Sequence, residues 1–156
     1  MKKAVMALGT IFLAFIVFFV SAIGVLAVIG RSLDKESKAY VDAAIPAIVS
    51  EWDVREVQKR AAPELEESMD YDDLADLFGT LRKLGPLTEY KGSEGDSNIT
   101  LSFHEGYEIT ADYSANAEFE EGTVEILVSL IKHGKQWQLL DLQFKPEEYS
   151  ESKDII

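Results

Sequence analysis

Residues 107–119 read Tyr107-Glu108-Ile109-Thr110-Ala111-Asp112-Tyr113-Ser114-Ala115-Asn116-Ala117-Glu118-Phe119, and this alternation decides the fold. Successive side chains of a strand point to opposite faces, so a period of two puts Tyr107, Ile109, Ala111, Tyr113, Ala115, Ala117 and Phe119 on one face. The polar partners fall on the other. A half-buried strand of this length needs a covering layer, and its alanines predict that something packs close.

The same period continues on both sides. After Gly122, Thr123 to Lys132 reads as a strand. His133-Gly134-Lys135 reads as a tight hairpin, and Gln136 to Lys145 as a last strand carrying Trp137, Leu139 and Leu142, ended by Pro146. On the other side, Gly106 turns the chain out of a strand with Ile99, Leu101 and Phe103 in alternation. Gly92-Ser93-Glu94-Gly95-Asp96 reads as a turn behind a short first strand, Leu87 to Lys91. Four to five strands in an antiparallel meander result.

The period before Leu87 is helical. Leu33, Tyr40, Val41, Ala44, Ile45, Ile48, Val49 and Trp52 recur at spacings of three and four, predicting a helix over Ser32–Trp52, kinked by Pro46. Asp53 and Glu56 have capping-box spacing for a short second helix, and Pro63 breaks that helix and can open another turn. Asp70 to Leu84 reads as a further helix, with Asp70, Asp72, Asp73 and Asp76 at its positive end and Gly85-Pro86 as its stop. Helices followed by a meander make the fold class α+β, with the helices packed on a curved sheet.

Ahead of all this lies Ala4 to Gly30, twenty-seven residues without a charge. As a helix it would be roughly 40 Å long, against about 30 Å of bilayer hydrocarbon. A cleaved signal has an apolar core of about 7–15 residues, so the length favours an uncleaved signal-anchor. Lys2 and Lys3 before it predict a cytoplasmic N-terminus, with the rest of the chain outside the cytoplasmic membrane. The expected organisation is 1–31 stub and anchor, 32–146 exterior domain and 147–156 acidic tail.

The whole chain carries a formal charge of −13, and past Gly30 there are 28 acids against 13 bases. Such a surface argues against nucleic acid as a partner and against lying flat on anionic lipid. Cysteine is absent, which excludes disulfides, thiol catalysis and zinc–thiolate sites.

Candidate chemistry is sparse. The acidic cluster Glu64, Glu66, Glu67, Asp70, Asp72, Asp73 and Asp76 lacks the loop glycine and closing glutamate of a calcium loop and reads as helix capping and solvated surface. No metal or cofactor is expected. His133 lies in a hairpin, and His104 beside Glu105 is a neighbour pair whose side chains point to opposite faces. Asn98-Ile99-Thr100 has the form of a glycosylation acceptor. Tyr113, Trp137 and Tyr107, with Tyr40, read either as core or as the lining of a small apolar ligand site. Ile126 to Ile131 is apolar on both faces. Either that strand is covered on both sides, or Leu127, Ser129 and Ile131 form an interface with another protein.

The run Tyr113-x-Ala115-x-Ala117-x-Phe119-x-x-Gly122, then Val124-x-Ile126-x-Val128-x-Leu130-x-Lys132, Gly134 and Trp137-x-Leu139, resembles the cystatin-like, nuclear-transport-factor-like cone fold. Trp52-Asp53 and Ala62-Pro63-Glu64-Leu65 are similar to bacterial single-pass members of that superfamily. The resemblance covers about 33–146 and implies a binding or assembly module. Enzymes of that fold place acid–base residues inside the cone, where this chain has Ala111, Tyr113, Ala115 and Ala117. The functional expectation is a membrane-tethered, non-enzymatic interaction or assembly domain, a homodimer or envelope-complex subunit. The alternative is a small apolar ligand-binding cone, with an enzyme of the same fold third.

Overall fold

A computed structural model describes residues 2–102 and 106–147, with the side chains of 2–9, 11 and 102 outside the description. His104, Glu105, Phe103 and the tail 148–156 therefore lie outside the described residues. Contacts divide the chain into two compact units, Met1–Leu33 and Asp34–Ile156.

The first unit is apolar helix. Helix α1 runs Lys2–Val49. It carries one stretch long and apolar enough to cross a membrane, whose most apolar window has a mean hydropathy of 3.0 and is not buried. The predicted anchor and the predicted helix over Ser32–Trp52 are thus one continuous element. Pro46 sits in its last turn, and α1 ends three residues later.

The second unit is α+β. Short helices α2 (Val54–Gln58), α3 (Pro63–Ser68) and α4 (Tyr71–Leu81) precede a 3-10 turn, Arg82–Leu84. Asp53 caps α2 by accepting from the Arg55 amide, and Asp70 caps α4 by accepting from those of Asp72 and Asp73. Strands β1 (Leu87–Ser102), β2 (Gly106–Phe119), β3 (Gly122–His133) and β4 (Gln136–Glu147) follow as an antiparallel sheet in the order β1-β2-β3-β4.

The sheet has one covered and one open face. Ala111, Tyr113, Ala115, Ala117 and Phe119 of β2 lie in register with Val124, Ile126, Val128 and Leu130 of β3, and all are buried. The stripe Val41, Ala44, Ile45, Ile48 and Val49 of α1 is buried with them. Trp52 closes one end of this core. It stacks on Phe119 at 5.3 Å and meets Phe78 and Phe144 at 5.3 and 5.6 Å between ring centroids. At the outer edge of β4, Ala62 N–H donates to the Leu139 carbonyl at 2.8 Å and Leu139 N–H to that of Arg60 at 2.7 Å. The segment before α3 thereby covers part of an open sheet edge.

Two boundaries differ from expectation. Strand β4 passes Pro146 by one residue, with Val124 opposite the proline. Gly92–Asp96 is no turn: the chain stays extended through it, and the register with β2 shifts between Tyr90 and Ser93. Gly95, at φ 159°, allows the sheet to close there. A Cβ on Gly95 would stand 1.9 Å from the Asp112 carbonyl oxygen. Gly95→Ala is therefore expected to destabilise the domain by about 2 kcal/mol or more, read by chemical denaturation of the full chain in micelles. Gly92→Ala, with nothing within 4 Å of the added carbon, carries only the positive-φ strain.

Candidate functional site

A line of polar side chains along α1 ties the helix to β1 and β2. Asp34 Oδ1 accepts from the Ser97 amide at 2.8 Å and from the Ser97 hydroxyl at 2.5 Å. Two turns on, Asp42 Oδ1 accepts from the Ser93 hydroxyl at 2.7 Å and from the Tyr90 phenol at 2.8 Å. Lys38 donates to Asp42 Oδ2 at 3.0 Å and to the Ser93 carbonyl. Between them, Tyr113 donates to the Asp34 carbonyl at 3.1 Å and shares a 2.8 Å hydrogen bond with Ser37. Ser37 and Ser93 are the two buried polar residues among the described residues, and both are satisfied.

These contacts set the charge states. The Ser97 hydroxyl and amide hold the Asp34 carboxyl below its ordinary value. Burial pushes Asp42 up, but hydrogen bonds from Ser93, Tyr90 and Lys38 outweigh it and leave the carboxyl lowered. Burial, then the neighbouring Asp42 carboxylate, push the Tyr90 phenol far up. Asp42 thus accepts from Ser93, Tyr90 and Lys38 together, and the arrangement ties the helix to the strand as a clamp.

The expected ligand residues separate. Tyr113 is 3% exposed with its hydroxyl committed to α1, Trp137 is 7% exposed, and Tyr107 is 71% exposed. Trp137 lines an open groove of about 650 Å³ with Glu36, Ala39, Tyr40, Lys59, Arg60, Lys135, Gln136 and Gln138. Lys132 Nζ stands 5.4 Å over the Trp137 ring and pairs with Glu36 at 2.8 Å. The indole N–H of Trp137 is buried with no hydrogen-bond partner among the described residues.

The expected interface residues share one face of β3 and differ in exposure. Leu127 is half-buried on the open face, between Ser114 and Gln143 in register. Ser129 donates to Asp112 Oδ1 at 2.6 Å. Ile131, on the same face, is 5% exposed and lines a recess of about 350 Å³ with Glu64, Thr100, Tyr107, Glu108 and His133. His133 Nε2 lies 3.5 Å from Glu64 and its Nδ1 lies 2.8 Å from Gln138 Oε1. Among the described residues no group of three or more His, Cys, Asp or Glu stands close enough to hold a metal.

No family model, no curated protein and no solved structure matches the chain. The arrangement must therefore be read from its own geometry. Sequence reasoning missed the clamp. The signal was there as Asp34, Ser37, Lys38 and Asp42 on one face of a helix at spacings of three and four. Their partners in the 90–97 segment could not be paired with them before the strand was known to be continuous.

Depressed carboxyl values favour the folded state above the unfolded carboxylate range, near pH 4, and that stabilisation is lost as pH falls through the folded values. The domain is expected to lose stability below about pH 4, and Asp34→Asn with Asp42→Asn to flatten that acid limb, read as Tm against pH. Tyr113→Phe is expected to cost about 1 kcal/mol, because Ser37 keeps its bond to the Asp34 carbonyl.

Proposed function

We propose that this chain is a membrane-tethered, non-enzymatic interaction or assembly domain held on the outer side of the cytoplasmic membrane. The observation that carries the reading is the filled interior between α1 and the sheet. Tyr113, a polar aromatic within it, spends its hydroxyl on Ser37 and the Asp34 backbone. Side chains that hold a fold together are not free to turn over a substrate. Surfaces are left to carry the function, and the apolar run ahead of the domain supplies the tether. In this reading the partner is a second copy or another envelope protein meeting the open face at Leu127, with Ser129 and Ile131 beside it. The likeness to the cystatin-like, nuclear-transport-factor-like cone belongs to the same proposal, since members of that fold serve as assembly modules.

One observation favours the ligand-binding alternative. The groove at Tyr40 and Trp137 joins two aromatics to Lys59, Arg60 and Lys135. A flat ligand with an acidic group would suit it better than a purely apolar one.

Three measurements test the tethered reading. The mature chain is expected to begin at the original N-terminus, and protease added outside intact cells is expected to remove residues beyond Arg31. A mature chain starting near Ile29, or a C-terminal domain protected by the cell interior, overturns it. Leu127→Lys is expected to lower crosslinked complex by about tenfold, the effect of one charge in an apolar contact. Unchanged crosslinking removes the open face as the interface.

A further inference from the structure

The Arg60 guanidinium is half used by the fold. Its Nη1 donates to the Glu56 carbonyl at 2.8 Å and to Glu56 Oε2 at 2.6 Å. Its Nε and Nη2 meet no acceptor among the described residues, although the side chain is only 25% exposed. The Nε–Nη2 edge of a guanidinium presents two parallel N–H donors at the spacing of a carboxylate's two oxygens. Arg60 also stands on fixed backbone. Its carbonyl accepts from the Leu139 amide at 2.7 Å, and Ala62 N–H donates to the Leu139 carbonyl at 2.8 Å, so the edge of β4 carries the fork.

Arg60 lines the open groove of about 650 Å³ with Glu36, Tyr40, Lys59, Lys135 and Trp137. That volume falls within the range of about 300–1,000 Å³ common to small-molecule sites. We propose that the groove binds a small organic carboxylate, with its acid side-on against the Arg60 edge and a ring-sized apolar body toward Tyr40 and Trp137. The inference takes up the ligand-binding alternative above, gives it a chemistry, and does not depend on the tether.

The charge of the groove runs against that of the chain. Lys59 and Arg60 share the single carboxylate of Glu56, at 2.7 and 2.6 Å. Lys132 pairs with Glu36 at 2.8 Å. Lys135, exposed in the β3–β4 turn, enters no ion pair among the described residues. Four cations therefore stand with two acids, in a chain whose net charge is −13. Glu64 lines the other recess, 3.5 Å from His133. A carboxylate entering the groove balances a local excess of positive charge.

The groove is also partly dry. Burial pushes the Tyr40 phenol up, against the pull of the Arg60 charge. Where water is partly excluded, a guanidinium–carboxylate pair gains strength. Neither a glycine nor a helix N-terminus is among the lining residues. The backbone donors that wrap a phosphate are thus missing from the lining, which favours the carboxylate.

The test uses the full chain in phosphatidylcholine nanodiscs, with empty discs subtracted, and two probes of one shape. These are naphthalene-2-carboxylate and its neutral carboxamide, and equilibrium dialysis gives the Kd of each. The carboxylate is expected to bind about tenfold tighter than the carboxamide. Arg60→Lys keeps the charge that pairs with Glu56 and removes the fork. It is expected to weaken carboxylate binding about tenfold and to leave the carboxamide unchanged. Lys135→Gln, in the exposed turn, is expected to weaken the carboxylate about threefold. Equal Kd values for the two probes, or no carboxylate binding at about 1 mM, overturn the proposal. Unaltered carboxylate binding by folded Arg60→Lys also overturns it. Where that variant does not fold, unaltered binding by Lys135→Gln does so instead. None of these outcomes touches crosslinking through Leu127, so the carboxylate site and the interaction reading fail separately.

Discussion

Two carboxylates on one helix, eight residues apart, hold the domain in register. Asp34 and Asp42 face β1 residues four apart, and the rise of an α-helix over eight residues nearly equals that of a strand over four. The helix is therefore pinned along its length rather than at a point. Each carboxylate accepts two hydrogen bonds through one oxygen, and Lys38 occupies the second oxygen of Asp42. Apolar packing alone would tolerate sliding of α1 along the sheet. The clamp would not, because a shift by one turn would leave polar groups such as Ser93 and Ser37 buried without partners.

The irregular part of β1 follows from that constraint. The strand has to present the Ser93 and Ser97 hydroxyls toward the helix and still pair with β2. Gly95 lets the backbone come against Asp112, and the register slip before Ser93 absorbs the extra residues. At the far end, Trp52 leaves the helix at a φ of 49° and lies among Phe78, Phe119 and Phe144, which draws α4 onto the sheet. One end of the domain is closed by aromatics and lined with acids. The other end carries the β3–β4 turn, with Lys132, His133 and Lys135.

Much of this was legible in the residues. The alternation over 107–119 gave β2 and its buried face, and the aspartates at 53 and 70 marked the helix starts that they cap. Gly92–Asp96 misled because two glycines among small polar residues usually mark a reversal. Here they mark a close approach between strands, which no local pattern distinguishes from a turn. The doubly apolar run of β3 was legible as an ambiguity only. Ile131 is buried and Leu127 half-buried, and Ile131 shares a recess with Glu64, a residue nearly seventy positions away.

Outside Gly92–Asp96, the sequence by itself determined which segments are helical and which extended, which face of β2 is buried, and that one apolar run could cross a membrane. Those properties are periodic or compositional, and they are written within some twenty residues at a time. Only the tertiary structure decided that the Tyr113 hydroxyl meets Ser37 and the Asp34 carbonyl, that Asp34 and Asp42 belong to Ser97 and Ser93, and that Leu101 stands opposite Tyr107. Each depends on which distant backbone lies alongside, and strand register is set by the sum of all contacts across a sheet rather than by any stretch within it.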